Sequence, residues 1–383
     1  METRTYKNSD ERISLLGFGC MRLPLVGDTQ EIDAEYAGRM IDRAVENGVN
    51  YFDTAYVYHQ EKSESFIGNA LAKYPRGSFN LADKLPTWFV EKESDVPRLF
   101  DEQLARCGVD YFDYYLIHNI NEERTSIVER NRIYEQLKEF QRQGRIRHLG
   151  FSFHDRPELL ERFANQYDWD FVQIQFNYVD WELQDARRQY LILKGKGIPI
   201  VVMEPVRGGA LATLCDEAVR ILKDAVPDAS PASWAVRYAA SFPEVLTVLS
   251  GMTRMPQLED NLRTMKNFKP LSPYEHEVIG RALAAYKLAS TIPCTSCRYC
   301  MDCPAGVDIP KVLMIYNNYC QRKGDPRNEL TLCLEYDILG EKSQAHHCVN
   351  CGACTEHCPQ RIDIPSWMRT VSDLVKDAEA AAS

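Results

Sequence analysis

The stretch AEYAGRMIDRAVENGVNYFD, residues 34–53, shows the structural unit that recurs along much of the chain. Its apolar residues repeat with the 3.6-residue period of a helix that buries one face. They are Tyr36, Met40, Ile41, Ala44 and Val45. Gly48 is suited to end that helix, and the apolar run 49–53 that follows has the length of a strand. The stretch therefore predicts a helix that leads through a tight turn into a buried strand.

Short apolar runs alternate with amphipathic stretches from residue 12 to residue 250. Eight runs have strand length: 15–19, 49–53, 79–84, 112–117, 146–152, 171–175, 198–203 and 245–250. Strands separated by helices pair in parallel through crossovers, and eight such strands close a barrel. An open, doubly wound sheet is the alternative, but it requires a GxGxxG turn after an early strand, which this sequence lacks. We therefore predict an α/β fold, a (β/α)8 TIM barrel.

The composition bears on whether the protein binds nucleic acid or membranes. The chain has 383 residues, of which 45% are hydrophobic and 26% charged, and its net charge is −10. A surface this acidic repels phosphate backbones and anionic lipid, so we expect neither nucleic acid nor a membrane as a partner. No apolar run reaches the ~18 residues of a membrane helix, and METRTYKNSDER at the N-terminus lacks the apolar part of a secretory signal. We expect a cytoplasmic protein.

The cysteines divide the chain near residue 290, because ten of the thirteen lie between Cys294 and Cys358. Such a density in a long chain without a secretory signal indicates metal binding and not disulfides. We expect a barrel domain over 1–275 and a small, mainly helical domain over 276–383.

The cysteines of the second domain form two related runs. CTSCRYCMDCP occupies 294–304 and CVNCGACTEHCP occupies 348–359. The second run has the C-x2-C-x2-C-x3-C-P spacing of ferredoxins, and the first is one residue shorter. Two zinc sites are the alternative, but zinc sites need pairs of cysteines and not triplets. We predict two [4Fe-4S] clusters with these ligands: Cys294, Cys297, Cys300, Cys303, Cys348, Cys351, Cys354 and Cys358.

The pairing of these ligands follows only by analogy. In two-cluster ferredoxins the fourth cysteine of each run serves the other cluster. That analogy groups Cys294, Cys297 and Cys300 with Cys358, and Cys303 with the second triplet. The shortened first run leaves a local pairing open.

Polar and titratable residues stand where the predicted strands end, and this is the end at which TIM barrels carry their active sites. They are Asp53, Lys84, His118, Ser152, Gln175 and Glu204, with Tyr58 in the loop after Asp53. Packing alone does not account for such residues at consecutive strand ends.

The motifs around these residues resemble those of the aldo-keto reductases over about residues 10–265. The motifs are NYFDTAYVY (50–58), LADKLP (81–86), YYLIHN (114–119), GFSF (150–153), QIQFN (173–177), EPVRGG (204–209) and GMTRMPQLEDNL (251–262). Together with the cysteine runs, they are similar to the branch of that family with a C-terminal ferredoxin-type 4Fe-4S domain. The resemblance identifies Asp53, Tyr58, Lys84 and His118 as a catalytic tetrad.

The tetrad suits proton transfer during hydride transfer. A carbonyl that accepts hydride develops negative charge on oxygen and needs a proton donor beside it. We expect Tyr58 to be the acid in reduction and the base in oxidation. A free tyrosine has a pKa near ~10, so we expect the Lys84 ammonium to lower the pKa of Tyr58, with Asp53 holding Lys84. His118 would position the carbonyl oxygen.

The resemblance also implies a nicotinamide cofactor. Its implied binding residues are Ser152, Gln173, Met203, Glu204, Gly208, Gly251, Gln257 and Asn261. Met203 replaces the aromatic that stacks on the nicotinamide in many members. Gly251 and Gln257 replace the Lys and Arg that clamp the 2′-phosphate in members selecting NADPH, although Arg254 could partly substitute. NADH is therefore at least as plausible as NADPH, and a flavin is an alternative.

Together the two domains predict an oxidoreductase. We expect hydride transfer between NAD(P)H and a carbonyl or alcohol, with the two clusters carrying electrons to or from a redox-protein partner. A nicotinamide-only reductase with purely structural clusters is one alternative. A flavin-linked iron–sulfur oxidoreductase is another. A cofactor-sensing subunit without turnover is disfavoured, because a sensor has no need of Lys84 and Tyr58 together.

Overall fold

The computed structural model describes residues 1–7, 9–27, 29–289, 292–322 and 324–382. Its main feature is a closed barrel of eight parallel strands, arranged around the ring in chain order. These strands are β3 (Leu16–Gly19), β4 (Tyr51–Asp53), β5 (Asn80–Leu85), β6 (Phe112–Ile120), β7 (Ile146–Phe153), β8 (Phe171–Gln175), β9 (Ile200–Met203) and β10 (Val245–Gly251). The predicted (β/α)8 barrel is therefore confirmed, and the doubly wound sheet is excluded.

Helices connect the barrel strands. They are α1 (Ala34–Glu46), α2 (Ser63–Leu71), α3 (Asp95–Cys107), α4 (Glu122–Arg130), α5 (Ile133–Arg142), α6 (Pro157–Gln166), α7 (Asp180–Leu183), α8 (Ala186–Gly195), α9 (Asp216–Ala225), α10 (Pro231–Ala240) and α11 (Met255–Lys266). The amphipathic stretch 127–142 has the pattern of one continuous helix, but in the structure it is divided between α4 and α5. Arg132, between α4 and α5, has a left-handed backbone with φ of 48°, and a residue in that region interrupts a right-handed helix.

A two-stranded hairpin, β1 (Thr3–Thr5) and β2 (Arg12–Ser14), precedes the barrel. Tyr6 and Ile13, from its loop and its second strand, are buried in one cluster with Tyr51 and Tyr114 from the early parts of β4 and β6. The rings of Tyr51 and Tyr114 lie 4.9 Å apart. Apolar packing therefore occupies the end of the barrel where the strands begin, and the opposite end is left for a polar site.

The chain forms two compact units. One comprises Met1–Pro205 and Ser233–Leu271, and the other comprises Val206–Ala232 and Ser272–Ser383. The boundary at 275/276 inferred from composition stays a prediction. The structure adds that the segment 206–232 packs with the C-terminal residues, since α9 contacts the helix Pro273–Ala289. Local sequence patterns do not report such a long-range contact.

The second unit is mainly helical. Besides α9, it contains α12 (Pro273–Ala289), α13 (Ile309–Gln321), α14 (Asn328–Asp337), α15 (Ala353–Glu356) and α16 (Ile364–Ala382). Its core is formed where α13, α14 and α16 pack together, with Val312, Leu332 and Val371 fully buried. Several cysteines of both runs pack against this core. Among the residues described in either unit, no helix has both the length and the apolar character needed to cross a membrane.

Candidate active site and cluster site

The four predicted catalytic residues lie together at the end of the barrel where the strands finish. Asp53 is the last residue of β4, Lys84 is the second-to-last residue of β5, and His118 lies near the end of β6. Tyr58 follows in the loop after β4. All four side chains are buried, and Lys84 is fully so. The parallel register of β4, β5 and β6 brings these distant positions to one place.

Backbone geometry holds Tyr58 over the end of β4. The Tyr58 N–H donates to the Ala55 carbonyl at 3.0 Å, which closes a turn five residues beyond Asp53. The next three residues, 59–61, are all left-handed, with φ between 51° and 66°. His59 then accepts the Leu23 N–H at 3.1 Å through Nε2, which ties this loop to the segment after β3. The position of Tyr58 is thus set by turn geometry and by a histidine that the sequence did not indicate.

Lys84 is held by two short hydrogen bonds. Its Nζ donates to Asp53 Oδ1 at 2.6 Å and to the Thr54 carbonyl at 2.6 Å. The same nitrogen lies 5.0 Å from the centroid of the Tyr58 ring. Among the described residues, the second Asp53 oxygen, Oδ2, has no hydrogen-bond partner. The buried pair therefore fixes an ammonium group against the tyrosine ring.

The pKa of Tyr58 departs from the sequence-based expectation. Burial raises the pKa of the phenol well above its ordinary value, and the charges of Asp53 and Glu204 raise it further. The expected lowering by Lys84 is not found. Asp53 lies 2.6 Å from the Lys84 ammonium, and its negative charge opposes the effect of that ammonium on the phenol. Tyr58 therefore carries its proton at neutral pH, as a proton donor must.

His118 is neutral for similar reasons. Burial lowers the pKa of its imidazole well below the ordinary value, and the positive charge of Lys84 lowers it further. Its ring meets the Tyr58 ring edge-on, with centroids 6.2 Å apart. The Trp88 ring lies 5.0 Å away on another side. A neutral imidazole has one N–H to donate, so His118 is suited to hold an oxygen beside the phenol.

The loop after β5 adds residues that the sequence analysis did not assign. Trp88 and Phe89 form a short helical turn, and Phe89 is exposed. The Arg124 guanidinium lies 5.1 Å from the Trp88 ring and donates to the Asn119 carbonyl at 3.1 Å. Aromatic residues next to His118 are suited to bind the apolar part of a substrate. Thr87 and Trp88 follow Pro86, which comes directly after β5, and their place in the loop 86–95 after a barrel strand is the signal that the sequence offers.

Three of the implied cofactor residues lie on neighbouring strands. Ser152, on β7, is paired with Gln173 on β8, and its Oγ accepts the Asn119 N–H at 2.8 Å. The Gln173 Nε2 lies 3.6 Å from the Met203 sulfur. Among the described residues, the buried Gln173 Oε1 has no hydrogen-bond partner. An amide group is the kind of ligand that satisfies such an acceptor, so this edge fits a nicotinamide carboxamide.

Glu204 is engaged with a residue that was not predicted. Its carboxylate accepts a hydrogen bond from Arg22 at 2.8 Å. A Cβ added to Gly251, at the end of β10, would lie 3.2 Å from the Arg22 side chain. Arg22 therefore lies beside two positions that the resemblance implies for cofactor binding.

The two remaining barrel positions are used within the protein. Gln257 Oε1 accepts the N–H groups of Thr253 at 2.8 Å and Arg254 at 3.1 Å, which caps the start of α11. The buried Asn261 donates through Nδ2 to Ser250 Oγ at 2.9 Å. Neither Gly251 nor Gln257 supplies a cation, so the 2′-phosphate clamp is not built from these positions.

Gly208 lies in the second unit and not with the other implied cofactor residues. Its backbone is left-handed, with φ of 65°. A Cβ added there would lie 1.9 Å from the Thr295 carbonyl oxygen, which also belongs to the second unit. A role of Gly208 in cofactor binding stays a prediction. A glycine is required at this position because the backbone of the first cysteine run passes too close for a side chain.

Replacing Gly208 by Ala is expected to destabilise the second unit. The overlap with backbone should cost about 2 kcal/mol or more, and each kcal/mol lowers Tm by about 2–4 °C. Gly209→Ala is the matched control, since Gly209 also has positive φ but no described heavy atom would lie within 4 Å of its Cβ. Thermal unfolding and iron content measure the difference. Equal Tm values for the two variants would contradict the close approach.

The eight cysteines of the two runs surround two neighbouring cavities. Cys294, Cys297, Cys300 and Cys358 line the first. Cys303, Cys348, Cys351 and Cys354 line the second, which Cys300 also borders. The fourth cysteine of each run therefore lies with the triplet of the other run, as in the ferredoxin analogy. Thiolates gathered in fours are the donor set that a [4Fe-4S] cluster requires.

The backbone repeats between the two runs. The residues two and four positions after the first cysteine are left-handed in both: Ser296 and Arg298, then Asn350 and Gly352. The residue three positions after the fourth cysteine is left-handed in both as well: Gly306 and Arg361. The Ser296 N–H donates to Cys294 Sγ at 3.4 Å. Backbones of this kind turn N–H groups toward an anion, which suits thiolate and sulfide.

Comparisons with known proteins agree with this geometry. An aldo/keto reductase family model matches residues 15–284, and a 4Fe-4S dicluster domain model matches residues 293–362. The uncharacterized oxidoreductase YqkF of Bacillus subtilis is 25% identical over 293 residues, 69% of this chain and 90% of that protein. The NADH-specific methylglyoxal reductase of Escherichia coli is 23% identical over 269 residues, 57% of this chain and 79% of that protein.

Solved structures show the same likeness. The holo form of aldo-keto reductase AKR11C1 from Bacillus halodurans superposes with a TM-score of 0.62 and 25% identity. The superposition covers 74% of this chain and 96% of that one. The likeness therefore covers nearly the whole of that protein.

Proposed function

Because the chain belongs to the aldo/keto reductase family, we propose that it transfers hydride between a nicotinamide cofactor and a small carbonyl or alcohol. Its two clusters exchange electrons with a redox-protein partner. The observation that carries the proposal is the buried Lys84–Asp53 pair beside Tyr58 and His118. A buried ion pair contributes little net stability, so its presence at the strand ends supports a catalytic role.

The tetrad performs the proton transfer. A nicotinamide, when bound, supplies the hydride to the carbonyl carbon. Tyr58 donates its hydroxyl proton to the oxygen as negative charge develops there. The neutral His118 donates a hydrogen bond to the same oxygen and orients it. Lys84 stabilises the phenolate left on Tyr58 until a proton from solvent restores the phenol, and Asp53 keeps Lys84 in place.

The cofactor fits the edge formed by β7 and β8. Gln173 Oε1 is a buried acceptor for the carboxamide N–H, and Ser152 lies on the neighbouring strand. We propose NADH as the preferred cofactor, because Gly251 and Gln257 supply no cation for a 2′-phosphate. The E. coli relative is named as NADH-specific, which supports this choice. The same relative is named as a methylglyoxal reductase. We therefore choose methylglyoxal as the first aldehyde to assay, followed by a panel of small aldehydes and ketones.

The cysteines around the two cavities hold the clusters. They would bind iron as thiolates, so cluster formation would release their protons to solvent. When bound, each cluster would take up or release one electron at a time, so the two together could hold the two electrons that oxidation of NADH to NAD⁺ and a proton releases.

The test is anaerobic absorbance and EPR spectroscopy before and after addition of NADH, and in a separate sample NADPH. We expect the broad iron–sulfur absorption to bleach with NADH and a reduced-cluster EPR signal to appear. A matched sample reduced with dithionite gives the full amplitude. A cluster spectrum that neither nicotinamide changes, in a protein that reduces aldehydes, would instead indicate structural clusters. Bound zinc in place of iron would overturn the cluster assignment. A flavin absorption spectrum in the purified protein would instead favour a flavin-linked iron–sulfur oxidoreductase.

The raised pKa of Tyr58 predicts how the two directions depend on pH. The protonated phenol is the acid in reduction, so kcat for aldehyde reduction is expected to stay level from about pH 6 to at least about pH 9. Alcohol oxidation needs the phenolate, so its kcat is expected to rise with pH over the same range. Steady-state kinetics in both directions measure this. A reduction rate that falls from about pH 7 upward would contradict the raised pKa.

A further inference from the structure

The second unit contains a fully buried arginine close to the first cysteine run. Arg207 has only 2% of its surface exposed. Its Nη2 donates to the Pro293 carbonyl at 3.1 Å, and the carbon of that carbonyl is bonded to the nitrogen of Cys294. Arg207 follows the end of β9 by four residues in the sequence, although it packs with the C-terminal residues.

The next residue, Gly208, contacts the chain on the other side of Cys294, at Thr295. Arg207 and Gly208 are both left-handed, with φ of 51° and 65°. Gly208 approaches the Thr295 carbonyl so closely that a Cβ would lie 1.9 Å from its oxygen. Thr295 is itself buried. The two residues therefore contact the chain immediately before and immediately after Cys294, and this double contact sets the position of that cysteine.

The charge of Arg207 acts on the same cysteine. A guanidinium keeps its proton even when buried, and charges interact more strongly in a buried environment than in water. The Arg207 guanidinium donates to the carbonyl whose carbon is bonded to the Cys294 nitrogen, so its positive charge lies one peptide away from this cysteine. Reduction adds one electron to a cluster that thiolates already make anionic. A cation next to a ligand therefore favours the reduced cluster and raises its potential.

The two cavities differ in the charges that line them. The first is bordered by the segment that Arg207 contacts and by Arg298, whose guanidinium lies 3.4 Å from the Asp308 carboxylate. The second is bordered by Asp302, and a nearby carboxylate disfavours the addition of an electron. Arg207 near the first cavity and Asp302 at the second act in the same direction, toward easier reduction of a cluster in the first cavity.

We propose that Arg207 is a positioning residue for the cluster of Cys294, Cys297, Cys300 and Cys358, and that its charge makes this cluster the more easily reduced of the two. The inference rests on the proposed cluster ligands and not on the reductase reaction. It assigns a residue of the EPVRGG motif to the iron–sulfur centre.

The test is an EPR-monitored potentiometric titration of Arg207→Gln in the whole 383-residue chain, with dithionite as reductant. Reduction of one cluster is expected to become about tenfold less favourable, which for a one-electron couple is a lowering of about 59 mV. The other cluster should be unchanged. Repeating the titration in a Cys303→Ser background, which keeps only the first cluster, identifies the cluster that shifts.

Two controls separate charge from packing. Arg327→Gln removes an exposed arginine of the same unit and should leave both potentials unchanged. Arg207→Lys keeps the charge and should shift the potential less than Arg207→Gln. An intact cluster of wild-type potential in Arg207→Gln would overturn the proposal. If Arg207→Gln loses iron, retention of iron by Arg207→Lys supports the role of the charge, and loss by both variants contradicts it.

The same experiment separates this inference from the proposed function. Dithionite reduces the clusters directly, so a failure of NADH to reduce them leaves the titration unaffected. A wild-type protein without an iron–sulfur signal would instead refute the ligand assignment itself.

Discussion

Replacing Tyr58 by Phe is expected to lower kcat for aldehyde reduction by at least ~100-fold while leaving the fold unchanged. The substitution removes only the hydroxyl, the proton donor of the proposed reaction. The ring remains, and with it the contacts to Lys84 at 5.0 Å and to His118 at 6.2 Å. Substrate and NADH affinities should change little, because the lost interaction develops mainly in the transition state. Steady-state kinetics with the aldehyde panel, together with circular dichroism, measure the effect.

Tyr56→Phe is the matched control. Tyr56 is a buried tyrosine in the same loop, but its hydroxyl donates to Glu102 at 3.2 Å, accepts from Arg106 at 3.1 Å and lies outside the tetrad. We expect its kcat to stay within about threefold of the wild type, because its two partly buried hydrogen bonds, to Glu102 and from Arg106, are not made to the tetrad and each contributes only about 1 kcal/mol to stability. Near-normal turnover by Tyr58→Phe would remove Tyr58 from the proposed mechanism. An equal loss in both variants would point to loop disturbance.

Pairs of cysteine substitutions are expected to distinguish crossed from local cluster ligation. If the cavities define the ligand sets, Cys294→Ser and Cys358→Ser damage the same cluster. That double variant should keep about half of the wild-type iron, because a cluster that lacks ligands is not retained. Cys348→Ser with Cys358→Ser damages one ligand of each cluster and should lose most of the iron. Iron and sulfide analysis with EPR of anaerobic protein measures both.

Local ligation predicts the reverse pattern. Cys348 and Cys358 would then serve one cluster, and that pair would keep about half of the iron. Cys320→Ser is the control for loss of a thiol from the same unit, because Cys320 lies on α13 and is not among the cysteines that border either cavity. Its iron content should equal that of the wild type. Half occupancy in the Cys348–Cys358 pair would refute the crossed arrangement.

Local patterns determined the elements of the barrel. Strand-length apolar runs separated by amphipathic stretches need no long-range information, so all eight barrel strands were found near their observed positions. The register of parallel strands then brings Asp53, Lys84 and His118 together, because side chains at the same end of a barrel must meet. Features that leave no mark on the apolar periodicity were not predicted. The break at Arg132 and the hairpin with Ile13 were not anticipated, since neither interrupts the apolar periodicity.

The charges of the site depended on packing. The sequence supplied Lys84 and Tyr58 but not their burial, and burial raises the pKa of Tyr58 instead of lowering it. The expected influence of Lys84 assumed a free ammonium group. Its hydrogen bonds to Asp53 and Thr54 exist only after three strands have assembled, so the net field at the phenol could not be read from spacing.

By itself, the sequence determined the barrel, the residues at its strand ends and the cysteine runs, because periodicity and spacing are local properties of the chain. Only the tertiary structure decided that Cys358 lies with the first triplet, and that Arg207 contacts Pro293 rather than remaining a barrel-loop residue. These contacts join residues separated by tens of positions. The energies of these contacts depend on which surfaces are buried against each other, and only the folded chain specifies those surfaces.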